Sequence, residues 1–318
     1  MPYNSALGHQ PSKDIMKDPL FEFLQPVRRS AVVDIGANPI DSAPPYKPML
    51  DKGICTVVGF DPQQSAIDPL KQRTGPLETY LPYAVADGTD QTLYTCMAPG
   101  MTSILKPDVQ SLSLFPLFEE FGKVVASERI QTRALDDIEE IENLDFLKID
   151  VQGAELSVFR SGHDKLAKAV AIQTEVSFLP LYKDQPTIGL IDMELRSQGF
   201  IPHALVELKQ WIISPLLVDD NPRRPLNQLI EADFVYVRDF RHPDKLTEEQ
   251  LKHLALISHH CYRSFDLALF CLVALERRGC LPSGVERTYI NMLGARAQTQ
   301  PSAATDRPIA QRSDNGRA

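Results

Sequence analysis

The chain has 318 residues, enough for one large domain or two ordinary ones, and its 43% hydrophobic and 24% charged content suits a globular protein with a sizeable core. A net charge of -9 and a pI near 5.3 exclude a broad nucleic-acid or anionic-membrane footprint, because phosphate contacts need a basic face. No apolar run approaches the roughly 20 residues that span a bilayer. The amino terminus shows no charged leader before an apolar stretch, and the five cysteines show no CxxC pairing, so reduced thiols and a cytoplasmic location are the expectation.

Residues 1–26 read as a polar arm followed by a short helix, LFEFLQ. The first strand is Ala31–Ile35. Four prolines follow in GANPIDSAPPYKPML, so the next helix cannot establish before Tyr46, and it stops at Gly53. Cys55–Phe60 is a second strand, Ser65–Arg73 a helix and Thr79–Pro82 a third strand that leads to a turn at Asp87-Gly88. Gln91–Cys96 alternates polar and apolar residues as an exposed strand does. A long excursion carries the aromatic segment SLFPLFEEFG. Arg129–Thr132 then reads as a strand and ALDDIEEI as a short acidic helix.

The segment FLKIDVQGAELSVFRSG, Phe146 to Gly162, organises the chain. A brief apolar run breaks at Gly153, resumes with helical spacing at Ala154, Val158 and Phe159, and ends in Ser-Gly. That is a buried strand, a tight turn and a helix. Ala169–Val176 is another buried strand, and Thr187–Gln198 is an amphipathic helix. Phe200–Leu208 and Ala232–Val237 finish as strands joined by an extended loop that holds Trp211. Alternation of strands and helices, with two late strands, predicts an α/β doubly wound, mostly parallel sheet with a terminal antiparallel pair.

Three strand tips carry acids: Asp34 before Gly36, Asp61 after the second strand, and Asp150 in KIDVQG. In open α/β sheets ligands bind at that edge. An acid at the first tip disfavours a pyrophosphate and favours a cationic group, and Asp61 is spaced to accept from ribose hydroxyls. A ligand with ribose, no phosphate and a sulfonium charge fits: S-adenosylmethionine. The competing reading makes Asp34 a helix cap and Asp61 the start of a turn with Pro62.

Together DIGAN, GFDP, LDFLKIDVQGAELSVFRSG, QTEVSFLPLYKDQPT and LRSQGF resemble the FkbM-type S-adenosylmethionine-dependent methyltransferases over about residues 30–210. The resemblance implies a class I methyltransferase fold with a seven-stranded sheet. It also implies methyl transfer to a hydroxyl, often on a sugar or natural product. It places Asp34, Gly36 and Asn38 in the first cofactor loop, Asp61 on the ribose, and the Ala84–Asp87 turn against the adenine. Thr102-Ser103 matches the family's short hydroxyl motif. Two positions depart from the pattern: Pro39-Ile40 stands where a second glycine is usual, and Gln152 where glutamate is usual.

A hydroxyl acceptor benefits from a base within hydrogen-bond reach. Asp150, Glu175 and His203 are the candidates. Each also has a structural reading: Asp150 as a helix cap, Glu175 paired with a lysine or arginine, and His203 as a satisfied core residue. Glu155 in the first helical turn either stabilises the helix end or meets substrate. His259-His260-Cys261 lacks the i, i+4 spacing of helical metal pairs. Asp136-Asp137 reads as a solvated helix start, and no metal is expected. Phe115, Phe118 and Phe121 either pack or line an acceptor pocket.

The expected organisation is an arm and short helix over residues 1–26, a cofactor-binding domain over 27–240, a helical extension over 245–295 and a disordered tail over 296–318. Thr247 to Gln250 forms a capping box ahead of a helix or helix pair reaching Arg278, with a last helix over Val285–Leu293. Such helices need a surface to cover, which reads as a lid or a homodimer contact. The expected partner is a small-molecule or saccharide acceptor, with no nucleic acid and no membrane. The rival function is a non-catalytic binding protein on a degenerate methyltransferase fold. A nicotinamide oxidoreductase ranks last, because DIGANPID lacks G-x-G-x-x-G.

Overall fold

Short runs of valine, isoleucine and phenylalanine, each bounded by glycine, proline or an acid, become the strands. The computed structural model describes residues 18–37 and 43–294. Asn38, Pro39-Ile40, most of the amino-terminal arm and the tail expected over 296–318 lie outside the described residues. The elements begin with α1 (Pro19–Leu24), β1 (Ser30–Ile35), α2 (Lys47–Asp51), β2 (Cys55–Phe60), α3 (Gln64–Arg73), β3 (Glu78–Leu81), β4 (Ala84–Ala86) and β5 (Asp90–Cys96). There follow α4 (Val109–Leu112), α5 (Phe118–Phe121), β6 (Val124–Ala134), β7 (Phe146–Ile149), α6 (Glu155–Arg160), α7 (His163–Leu166), β8 (Ala171–Ser177) and α8 (Ile188–Ser197). The chain closes with β9 (Phe200–Trp211), β10 (Gln228–Arg238), α9 (Glu248–His260), α10 (Phe265–Arg277) and α11 (Val285–Leu293).

Seven strands form one sheet in the order β3-β2-β1-β7-β8-β10-β9, and a second, three-stranded sheet runs β4-β6-β5. In the large sheet β10 is antiparallel to both neighbours, and the other registers are parallel. This is the class I methyltransferase-like, doubly wound arrangement that the sequence predicts. The chain winds outward from β1 to β3, then returns to lay β7 on the other side of β1. That reversal opens a crevice at the carboxyl ends of β1 and β7, where ligands bind in such sheets.

Helices cover both faces of the sheet. On one, α6 and α8 pack through Leu156, Val158, Phe159, Ile191 and Leu195 onto Val33, Ile35, Leu147 and Ile172. On the other, α2 is only one turn long, as its prolines require, and α9 fills the layer beside it. Leu251, Leu254, Ala255 and Ile257 share one core with Val32, Val57, Phe146 and Val170. Burying each such leucine contributes about 1.5–3 kcal/mol. Residues 248–293 therefore complete the second layer of the core. The capping box at Thr247 and Gln250 is formed.

Smaller differences have local causes. ALDDIEEI makes only a single 3-10 turn over Leu135–Asp137. Asp136 instead accepts the amides of Asp164 and Lys165 at 3.0 and 2.9 Å, capping α7. Trp211 belongs to β9 rather than to a loop, because the ladder with β10 continues to the pair Gln228–Trp211. No described helix is long and apolar enough to cross a membrane.

Candidate functional site

Gly36 follows β1 directly at φ +79°, a conformation that glycine adopts without a Cβ penalty. Its amide donates to Phe60 O at 2.8 Å, and Asp150 N donates to Ile35 O at 3.0 Å, so the tips of β1, β2 and β7 are tied together. A Cβ on Gly36 would stand 1.9 Å from Asp150 O. Beside this junction a cavity of about 450 Å³ is lined by Gly36, Asp61, Ala84, Val85, Asp150 and Gln152, among others. Its size falls within the range of small-molecule sites.

Asp61 is buried, and burial raises its carboxyl above the usual range. Gln63 N donates to Oδ1 at 2.7 Å, while the other oxygen makes no hydrogen bond among the described residues. Ala84 and Val85 form the neighbouring wall. Asp87 does not join them: it is exposed and closes its own turn by accepting from Thr89 N at 3.0 Å and Thr89 Oγ1 at 2.8 Å. The strand β4 ends one residue earlier, at Ala86, and Asp87 is not part of the wall that Ala84 and Val85 form.

Asp34 lies on the same rim but points to the other face of the sheet. The Tyr46 hydroxyl donates to its Oδ2 at 2.6 Å, and Lys148 Nζ stands 3.4 Å from Oδ1 and 3.3 Å from Gly36 O. Burial pulls the Lys148 ammonium down, and Asp34 and Asp150 more than reverse that. Asp34 thus braces the turn at Gly36 through Lys148. It lines a larger cleft, about 910 Å³, with Tyr46, Lys148, Gln173, Asp233 and Tyr262. Asp150 borders both hollows.

Behind Asp150 stands a buried polar network. Gln152 Nε2 donates to Asp150 Oδ1 at 2.8 Å and to Glu175 Oε2 at 3.1 Å, and Tyr182 OH donates to Gln152 Oε1 at 3.2 Å. Lys209 Nζ donates to Glu175 Oε1 at 2.7 Å and lies 3.6 Å from Glu231 Oε2. A glutamate at 152 would press a third carboxylate against two others, so the departure at this position organises the cluster. Ser103 fixes the same turn, donating to Gln152 O at 2.8 Å. Oxygens of Asp150, Glu155 and Glu175 lie within 4.8 Å of one another, a spacing that a cation could bridge. Here Lys209 supplies the positive charge.

Glu155 Oε1 accepts the amides of Val151 and Gly153 at 3.0 and 3.1 Å, shaping the turn after β7. Burial outweighs these bonds and pushes its carboxyl up to about 7. A carboxyl raised in the folded state contributes stability that is full below its unfolded pKa and is lost as pH rises through the folded value. Glu155→Gln is therefore expected to gain on the parent by about 3 kcal/mol between pH 4.5 and 8. Urea unfolding at both pH values measures this. An unchanged difference rules it out.

His203 is remote from the cavity. It sits in the first half of β9, while the rim holds the last residues of that strand, and its Nε2 shares a 2.8 Å hydrogen bond with Ser264 Oγ. Burial lowers its pKa. It acts as a satisfied packing residue between β9 and the start of α10. Phe118 and Phe121 line the cavity, whereas Phe115 packs with Leu112 and Tyr182. His259 pairs with Tyr289 and His260 with Asp18. Lys148, Lys209 and Glu231 join the site without matching any motif. Their signal, charges inside otherwise apolar strands, was present in FLKID, VELKQ and LIEADF.

The FkbM methyltransferase domain model matches residues 34–202, from the end of β1 into β9. No curated protein matches the chain in sequence. Among solved structures, magnesium protoporphyrin IX methyltransferase from Synechocystis PCC 6803 with bound SAM is 10% identical, with 73% of this chain and 87% of that chain covered and a TM-score of 0.35. Precorrin-6y C5,15-methyltransferase from Geobacter metallireducens is 9% identical, with 71% and 93% covered and a TM-score of 0.30. A protein of the NADB-Rossmann superfamily from Streptococcus agalactiae is 13% identical, with 91% and 95% covered and a TM-score of 0.33. These superpositions are loose, so the assignment rests on the family match, which spans more than half of the chain and contains Gly36, Asp61 and Asp150. The chain belongs to the FkbM methyltransferase domain family.

Proposed function

We propose that the protein transfers a methyl group from S-adenosylmethionine to a hydroxyl of a small acceptor. The observation that carries this is the meeting of Gly36, Asp61, Ala84, Val85 and Asp150 around one cavity at the switch point of the sheet. The residues suit the ligand: a backbone held close by a glycine, a buried carboxylate with one oxygen unspent, an apolar wall, and net negative charge facing a sulfonium. When bound, S-adenosylmethionine supplies an electrophilic methyl group on a good leaving group. Asp61 holds the ribose hydroxyls, Ala84 and Val85 flank the adenine, and Asp150 lies towards the charged end. Positioning then supplies most of the acceleration.

Calorimetry with S-adenosylhomocysteine tests the reading. Saturable binding is expected. In Asp61→Ala, loss of hydrogen bonds to a charged acceptor is expected to weaken it about 10- to 100-fold, each such bond contributing about 1.5–3 kcal/mol. No heat and no thermal shift with the parent would favour the rival, a binding protein on this fold with another ligand.

A further inference from the structure

Two buried polar atoms on one wall of the cavity lack partners. Glu231 is 6% exposed, and its Oε1 accepts no hydrogen bond among the described residues. Trp211 Nε1 is also buried and donates none. A buried polar group left unpaired costs about 1–3 kcal/mol. Both residues line one hollow, where a turn of each side chain would offer its unpaired atom to a ligand's own polar groups. Both sit where β9 and β10 meet the rim, since Lys209 pairs with Glu231 and Trp211 with Gln228. The wall beside them is apolar: Phe118 meets Trp211 edge-on with centroids 4.8 Å apart, next to Met101 and Leu181.

Charge narrows the ligand class. Asp61, Asp150 and Glu231 line the cavity with one ammonium, Lys209, which Glu175 already holds at 2.7 Å. A phosphate or carboxylate there would meet uncompensated negative charge. An alcohol instead brings an O–H for the carboxylate and an oxygen for the indole N–H. Both Glu175 oxygens already accept a hydrogen bond, from Lys209 and Gln152, whereas Glu231 Oε1, with the Glu175 carboxyl as its neighbour, accepts none among the described residues.

We propose that Trp211 and Glu231 form the acceptor subsite for an uncharged alcohol, with Glu231 Oε1 taking the hydroxyl proton during methyl transfer. This rests on the function proposed above and goes beyond it, because both residues lie outside the matched range 34–202. In the step the O–H bond breaks and its proton passes to Glu231. The oxygen lone pair forms the bond to the methyl carbon, and the C–S electrons return to sulfur. Burial raises the Glu231 carboxyl, which makes it a better proton acceptor near neutral pH. Lys209 and Glu175 are positioning residues, steering the other Glu231 oxygen.

Trp211 is the single tryptophan of the chain, so its fluorescence reads the subsite directly. Full-length protein saturated with S-adenosylhomocysteine is titrated with methyl β-D-glucopyranoside, myo-inositol, cyclohexanol and glucose 6-phosphate. A saturable emission change is expected with at least one neutral alcohol, with the phosphate at least about tenfold weaker. With S-adenosylmethionine and that alcohol, Glu231→Gln is expected to lose about 10²–10⁴-fold in transfer while keeping S-adenosylhomocysteine affinity. Glu231→Asp, which withdraws the carboxylate by one methylene and serves if the amide variant misfolds, is expected to lose transfer in the same direction. In Trp211→Phe, read by calorimetry, alcohol affinity falls several-fold and S-adenosylhomocysteine affinity holds. The subsite is overturned by no response to any alcohol or by equal affinity for the phosphate. The base assignment is overturned if the parent binds an alcohol without methylating it, or if Glu231→Gln transfers at the parent rate. A parent that binds no S-adenosylhomocysteine sinks the methyl-transfer reading itself, a distinct failure that also removes the subsite.

Discussion

Replacing Gly36 with alanine is expected to abolish cofactor binding and to destabilise the fold by more than about 3 kcal/mol. Two costs add. At φ +79° an L-residue costs about 1–2 kcal/mol. The new methyl group would also lie 1.9 Å from Asp150 O, which is backbone and cannot swing aside. Relief requires the tips of β1 and β7 to part. That breaks the 3.0 Å bond from Asp150 N to Ile35 O and moves the loop away from Lys148 Nζ. Displacements of about 1 Å in a binding constellation can cost 10²-fold. Urea unfolding measures the first effect, and calorimetry with S-adenosylhomocysteine on protein shown to be folded measures the second. An alanine variant that binds within threefold of the parent would show that this junction does not shape the cofactor site.

Gly36 is legible in the sequence because its position depends only on local order: an apolar strand, an acid, then a glycine at the tip. The same rule located Asp61 and Asp150. It could not tell which face of the sheet Asp34 addresses, because strand alternation assigns faces only once a partner layer is known. Asp34 shares its face with Val32, and that face turned out to be the one covered by α2 and α9. The positions of His203 and Asp87 away from the cavity have related causes. His203 lies on a strand that reaches the right edge but too early along it, and Asp87 lies one residue beyond the end of β4. The carboxyl-terminal helices were visible as helices, capping box included. Their place in the core followed from how short the prolines make α2, a link that spans some 200 residues between α2 and α9. The Lys209–Glu175–Glu231 cluster depends wholly on β10 lying between β8 and β9, an order that no local pattern encodes.

Lys209→Met is expected to destabilise the protein at neutral pH by about 2–3 kcal/mol, with the loss shrinking as the solution is acidified. Breaking a buried ion pair by removing one partner typically costs about 3–5 kcal/mol. The Lys209 side chain is 41% exposed, so solvent screening places the effect at or below the bottom of that range. Its partners have no such relief: the Glu175 side chain is 4% exposed and that of Glu231 8%. Burial already raises both carboxyls, Glu231 and Asp150 raise Glu175 further, and Lys209 opposes the rise. Without the ammonium both rise again. A carboxyl whose folded pKa exceeds its unfolded value forfeits stability as pH climbs from the unfolded value towards the folded one. The variant should therefore match the parent near pH 4, where the pair is protonated, and fall behind progressively above about pH 4.5. Adding Glu175→Gln to Lys209→Met removes one of the stranded charges and keeps an acceptor and a donor for Gln152, so part of the loss should return. Contacting residues of this kind couple by about 0.5–3 kcal/mol in a double-mutant cycle. A Lys209→Met penalty that is the same at pH 4 and pH 8, or a cycle with no coupling, would mean that the lysine serves only as hydrocarbon packing on the rim. The charge balance around Glu231 would then have to come from the bound ligand instead.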